Sequence, residues 1–319
     1  SEYRKYFFRY ASEFGFQSFP SVKTLETVTD DPKELNPFSY VMEKHQRNYG
    51  GNGKIAKYMQ AAYRYPENFS DFVYASQLLQ ADGIRYGVEH YRRNRGRCMG
   101  AIYWQLNDCW PVISWSSIDY YGRWKALHYY AKRFFAPVML SCEEQSWMTV
   151  EADMNRQHFE FEKSIRLNVT NETLDAHRVL VKWAVRKTDA TILREEEQWL
   201  EVPALSAVWM DKVELPQIDC FNEYVSYEAW ENDQIISQGT VIFSYPKYFH
   251  YLNPGLAVRV DGDEIVVKAE AYAKSVEIRN ENDDLILEDN YFDMNAGEYR
   301  VKILDGKPDG LKVRSVYDI

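Results

Sequence analysis

Cysteine is scarce in this chain, with four among 319 residues, at positions 98, 109, 142 and 220. That spacing makes neither a CxxC pair nor a dense disulfide framework, so free, mostly buried thiols are expected. Long apolar runs are missing as well. No stretch reaches 18 consecutive apolar residues, which excludes a transmembrane helix and argues against a membrane partner. The six histidines (His45, His90, His128, His158, His177, His250) show no HxH or HExxH spacing, so neither a metal nor another cofactor is expected. Basic excess is absent too: 38 Lys and Arg face 48 Asp and Glu, a net charge of −10, with no Lys/Arg stripe to attract nucleic acid. The run Arg92-Arg93-Asn94-Arg95-Gly96-Arg97 is read as cations closing a helix against its dipole.

Other absences concern motifs. Gly50-Gly51-Asn52-Gly53-Lys54 is no phosphate loop, because Asn48 stands where the first Gly belongs and Ile55 where Ser or Thr belongs. The sequons at Asn68, Asn168 and Asn171 would matter only in a secreted eukaryotic protein. The chain lacks an opening Met and a signal-like segment. It reads as a piece of something longer, and as soluble, cytoplasmic or periplasmic if bacterial.

What the chain does have is aromatics: 25 Tyr, 16 Phe and 9 Trp, or 16 % of residues. Large cores account for part of that, and flat rings that cover pyranose faces could account for the rest. The length suggests two or three domains, at roughly 150 residues each. From residue 1 to 137 the pattern mixes strand and helix. Tyr6 to Ala11 reads as a buried strand. Asn36-Pro37 opens a helix through about Arg47, Gly50 to Gly53 form a loop, and Lys54 to Arg64 form a second helix. Ser70 caps a long third helix that Gly96 closes, Gly100 to Gln105 read as a second buried strand, and Trp124 to Phe135 form a last helix. Strand, helices, strand, helix is the rhythm of a β/α barrel, which needs eight strands, so the rest is expected upstream.

From residue 138 the grammar becomes short alternating runs, including Met148–Ala152, Arg166–Thr170, Val179–Trp183, Tyr224–Ala229 and Thr240–Phe243. These predict an immunoglobulin-type sandwich over 138–246. A smaller sandwich is expected over 247–319, from Leu256–Val260, Glu264–Ala269, Ser275–Ile278 and Tyr299–Ile303, with Asp261-Gly262-Asp263 as a hairpin turn.

The densest candidate chemistry lies at Ser12 to Pro20 and Gly100 to Asp119. Glu13 falls at the end of the first strand, ringed in sequence by Phe14, Phe16 and Phe19. A carboxylate among aromatics is costly unless it is used or satisfied. The local residues leave two readings open, a half-exposed strand-end Glu or a working carboxylate. Alternation places Glu13, Ala11 and Arg9 on one face of the strand. Trp104 ends the other strand, where the residues alone fit a core indole. Asn107, Asp108 and Trp110 follow in a loop, where they would hold sugar hydroxyls or organise the turn.

Ser12-Glu13-Phe14-Gly15-Phe16-Gln17-Ser18-Phe19-Pro20-Ser21 resembles the nucleophile strand of β-mannosidases in glycoside hydrolase family two. Tyr103-Trp104-Gln105-Leu106-Asn107-Asp108-Cys109-Trp110-Pro111, Ser114 to Asp119 and Gly122-Arg123-Trp124-Lys125-Ala126-Leu127-His128-Tyr129 resemble the same family's last barrel strand and helix. The match is specific over residues 1 to 137 and looser beyond. The resemblance implies the C-terminal part of a (β/α)8 TIM barrel followed by two immunoglobulin-like sandwiches. It implies a retaining mechanism with Glu13 as nucleophile and Trp104 on the floor of the sugar site. Its substrate class would be terminal β-mannosides of oligosaccharides.

The acid/base Glu of that family follows an Asn on an earlier strand. Here the Asn-Glu pairs are Asn171-Glu172 and Asn222-Glu223, both among the alternating runs. The isolated chain is therefore expected to be inactive, with the missing N-terminal half as its partner. The alternative is a non-catalytic carbohydrate-binding or scaffolding sandwich protein.

Overall fold

A computed structural model describes residues 2–150 and 160–319. The chain divides into two compact units, neither continuous in sequence. One comprises residues 1–11, 86–101 and 133–252, the other residues 12–85, 102–132 and 253–319.

The first unit is built on a sandwich. Its strands are β3 (Val138–Gln145), β4 (Ser164–Asn171), β5 (His177–Lys187), β6 (Ile192–Val202), β7 (Ser206–Trp209), β8 (Val213–Glu214), β9 (Glu223–Glu231) and β10 (Gln234–Ile242). One sheet runs in the order β10-β9-β5-β6 and the other β3-β4-β7, with β8 also pairing β4. Alternation drives the packing: Val179, Val181, Trp183 and Val185 of β5 point inward to join Leu140, Val169, Val225 and Phe243 in one core. Residues 148–150, expected in a strand, instead belong to or follow a 3-10 turn over Trp147–Thr149, closed by a capping box from Ser146. The rest of that expected strand, Glu151 and Ala152, lies outside the described residues.

The same unit overturns the reading of the opening strand. Tyr6, Phe7, Phe8 and Tyr10 are exposed, and the strand begins only at Ala11. Aromatic content suits a pleated, half-buried surface, but propensity alone does not supply the neighbours that bury it. The arginine run closes α4 as expected, with Arg92 and Arg93 in its last turn. Both are buried: Arg92 donates to Phe134 O (2.7 Å), and Arg93 Nη1 lies 3.6 Å from Glu89.

The second unit contains α1 (Val22–Leu25), α2 (Tyr40–Lys44), α3 (Gly51–Ala62), the first part of α4 (Phe69–Arg93) and α5 (Ala126–Phe134) through Lys132. Three helix starts shift from expectation, each for a local reason. Ser39, not Asn36, caps α2 by accepting from Met42 N–H, while Asn36 accepts from Phe38 N–H in a turn. α3 begins inside the glycine stretch because Gly50 takes a left-handed φ of 65° and Asn52 is buried, bonded to Pro37 O. Asn68 caps α4 through Asp71 N–H, which frees Ser70 to accept from Arg314.

This unit also holds a smaller sandwich: β11 (Ala257–Asp261), β12 (Glu264–Ala269), β13 (Ala273–Arg279), β14 (Ile286–Leu287), β15 (Phe292–Met294), β16 (Gly297–Asp305) and β17 (Lys312–Arg314). The sheet orders are β11-β12-β16-β14 and β15-β13-β17. The expected hairpin forms, with Asp261 opposite Glu264 and Gly262 at φ 66°.

Two short strands remain, β1 (Ala11–Phe14) and β2 (Ala101–Tyr103), paired in a two-stranded sheet. Backbone bonds join Arg9 to Met99, Ala11 to Gly100 and Phe14 to Trp104. Partners advance together along both strands, so the pair is parallel and needs the helical crossover between them. Among the described residues these elements do not close a barrel.

Candidate active site

β1 ends at Phe14, whose carbonyl accepts from Trp104 N–H at 2.8 Å. Glu13 and Trp104 therefore stand at the ends of neighbouring strands. Both are exposed, Trp104 at 47 %, and the peptide bond after Trp104 is cis. Among the described residues the indole is not buried.

Glu13 is not enclosed by its neighbouring aromatics. Phe19 turns into the core against Phe69 and Phe72, and Phe16 lies edge-on to Tyr58. Within β1, Ala11 is buried while both Ser12 and Glu13 are exposed. Water reaches the carboxylate directly.

Gly15 makes the close approach of the two segments possible. A Cβ there would lie 2.3 Å from Trp104 O and 3.0 Å from Trp115 Cδ1. Beyond it the chain is held by backbone contacts: Ser18 pairs with Ser114 as an isolated antiparallel bridge, and Phe19 N–H donates to Ser76 Oγ. Gln77 donates to Phe19 O and accepts from Ala126 N–H, each at 3.1 Å.

The loop after Trp104 is organised from within. Asp108 is buried and accepts from Ser114 Oγ (2.7 Å), Ser116 Oγ (2.5 Å) and Gln105 Nε2 (3.1 Å). Asn107 is exposed. Trp110 stacks on His45 at 4.9 Å, with the Arg47 guanidinium 4.5 Å from its ring centre. Asp119 is buried and accepts from Tyr121 and Arg123 N–H, both at 3.0 Å, and from Thr24. His128 is half-buried with Nδ1 3.1 Å from Ser117 Oγ. Burial lowers its pKa.

Two groups that sequence reasoning missed lie beneath these segments. Gln80 is wholly buried, and so is the ammonium of Lys125. Burial drives Lys125 down to about 8, although Asp108 and Asp119 pull the other way. The one available signal was Lys125's place inside the Trp124-Lys125-Ala126-Leu127 motif. Nothing in the periodicity of α4 distinguishes Gln80 from a surface Gln, because that helix is buried nearly all round.

Of the cysteines, Cys98 and Cys142 are buried, Cys220 is half-buried and Cys109 is exposed, all as free thiols. Among the described residues no three His, Cys, Asp or Glu side chains group closely enough to hold a metal ion, and no helix is long and apolar enough to cross a membrane.

Comparison with known proteins places this geometry in context. Residues 163–248 match the family described as Mannosidase Ig/CBM-like domain, and residues 251–319 match an Ig-fold domain family found under the name Ig_mannosidase. The chain is 30 % identical over 337 residues to β-mannosidase B of Thermothelomyces thermophilus, covering 97 % of this chain and 39 % of that protein. It is 39 % identical over 144 residues to the β-mannosidase of Capra hircus, covering 41 % of this chain and 16 % of that protein. The crystal structure of β-D-mannosidase from Dictyoglomus thermophilum superposes with a TM-score of 0.83 at 25 % identity, covering 98 % of this chain and 38 % of that one. The chain thus spans well under half the length of these relatives and resembles β-mannosidases across nearly all of its own.

Proposed function

We propose that this chain is the C-terminal part of a retaining, exo-acting β-mannosidase that removes terminal β-D-mannose from oligosaccharides. Glu13 is its nucleophile. The observation that carries this reading is the pairing of β1 with β2, which sets an exposed carboxylate and an exposed indole at adjacent strand ends, joined by the 2.8 Å bond between Phe14 and Trp104. The parallel pairing supports the assignment of β1 and β2 as the last two strands of a (β/α)8 barrel, where catalytic groups sit at the ends of strands. Residues 1–137 would then be the barrel part, 138–246 the first sandwich and 247–319 the second.

In this mechanism the Glu13 carboxylate attacks the anomeric carbon as the glycosidic oxygen departs, giving a covalent mannosyl-enzyme that water then hydrolyses. Trp104 offers a flat face to the C–H groups of the sugar, and Asn107 is free to meet a hydroxyl. Asp108 and Trp110 line the same loop. The bonds of Asp108 to Ser114 and Ser116 favour its turn-organising role over direct contact with sugar.

A retaining enzyme needs a second carboxyl group about 5–5.5 Å from the nucleophile. Glu172 is engaged with Arg95 at 3.0 Å, and Glu223 accepts from Asp219 N–H, so both Asn-Glu pairs serve the sandwich. The acid/base and the remaining barrel strands would come from the missing N-terminal half, which would also cover Tyr6, Phe7, Phe8 and Tyr10. The isolated chain is accordingly inactive.

The test is mass spectrometry of the complete enzyme after treatment with a 2-fluoromannosyl fluoride. The label should sit on Glu13. A label on any other residue removes the assignment.

A further inference from the structure

Two buried polar side chains each touch both segments of the site. Gln80 accepts from Ser18 Oγ at 2.7 Å and donates through Nε2 to the carbonyls of Phe16 (2.9 Å), Trp115 (3.0 Å) and Ser116 (3.3 Å). Lys125 Nζ lies 3.3 Å from Ser18 O and 3.5 Å from Ser114 O, the two residues whose backbones form the isolated bridge. Phe16 and Ser18 follow Glu13; Ser114, Trp115 and Ser116 follow Trp104.

Burying an amide and an ammonium is costly, and apolar residues of the same shape would often serve stability as well or better. A polar pair that bonds backbone carbonyls does something apolar packing cannot: it fixes the register of one loop against the other. Glu13 precedes Phe16 by only three residues, and Phe14 is itself tied to Trp104. Register at Phe16 and Ser18 therefore reaches the carboxylate through very little chain.

We propose that Gln80 and Lys125 are positioning residues that clamp the backbone following Glu13 to the backbone following Trp104, and so set where the carboxylate stands relative to the indole. This inference rests on the reading of Glu13 as nucleophile. Neither side chain need touch the sugar.

The test uses Gln80→Met and Lys125→Met in the complete enzyme, each removing the polar head and keeping an unbranched stem. A nucleophile misplaced by about 1 Å lowers kcat by about 100-fold. KM stays close to that of the parent, and a 2-fluoromannosyl fluoride labels Glu13 correspondingly more slowly. A purely structural role lowers Tm but leaves kcat per titrated site unchanged, and that result overturns the proposal. If Lys125→Met does not fold, Gln80→Met alone decides: full kcat per titrated site there overturns the proposal. A Glu13→Ala control separates the two claims. Failure of azide to restore turnover there removes the nucleophile reading itself. Rescue there, combined with full kcat in both Met variants, removes only the clamp.

Discussion

Gly15 and Trp104 are packed so closely that a single carbon on Gly15 would stand 2.3 Å from the Trp104 carbonyl oxygen. The obstacle is backbone, which cannot swing aside as a side chain can. Gly15→Ala should therefore separate the two segments, destabilising the chain by about 1–3 kcal/mol, as overpacking does. Urea unfolding of the isolated chain measures the loss. The complete enzyme should lose turnover as well.

Trp104→Ala should behave in the opposite way. The indole is 47 % exposed, so its removal should change stability by less than about 0.5 kcal/mol. If its face meets the sugar, a contribution of roughly 1.4 kcal/mol corresponds to about a tenfold rise in KM. Steady-state kinetics on a nitrophenyl β-mannoside, set beside a thermal melt, checks both halves of the prediction.

The pH dependence of stability should carry the signature of Lys125. Its folded pKa of about 8 lies below the ordinary value of 10.5, so between those values the unfolded chain binds more protons than the folded one. Stability from this group consequently rises with pH across that interval, and the penalty is fully present below about 8. The span is worth roughly 3 kcal/mol at its limit. Denaturation midpoints measured from about pH 7 to pH 10 should climb less steeply in Lys125→Met than in the parent.

Acid should act through Glu144. Burial pushes its pKa up, but Arg4 at 2.8 Å and a hydrogen bond from Tyr86 outweigh that and hold it below the ordinary 4.5. Its stabilisation is present above the ordinary value and is lost as pH falls through the depressed one. Glu144→Gln leaves Arg4 buried without its counter-charge and should cost about 3–5 kcal/mol. Urea unfolding at neutral pH reads the difference, which should shrink on acidification.

How much of this was legible follows from which side chains face where. β16 could be read residue by residue, because Tyr299, Val301 and Ile303 alternate with exposed Glu298, Arg300 and Lys302. β6 could not. It is an edge strand whose residues 192–199 are all exposed, and Arg194 to Glu197 give a run of charge instead of a period of two. The position of Glu13 was readable from its neighbours in sequence, but its exposure was not, since Phe16 and Phe19 turn toward other partners. Gln80 and Lys125 were hidden for a shared reason: polar residues are normally placed at the surface. Only the folded chain shows that these two spend their hydrogen bonds on loops.

The division of the chain into discontinuous units bears on how it can be cut. Glu144 belongs to β3, yet Arg4 and Tyr86, which hold its charge, come from segments far away in sequence. A gene trimmed to residues 138–246 would encode every strand of the first sandwich and still deliver an acidic group stripped of its counter-ion. Expressed that way, the piece should resist purification until residues 1–11 and 86–101 are restored, whether on the same polypeptide or as added peptides.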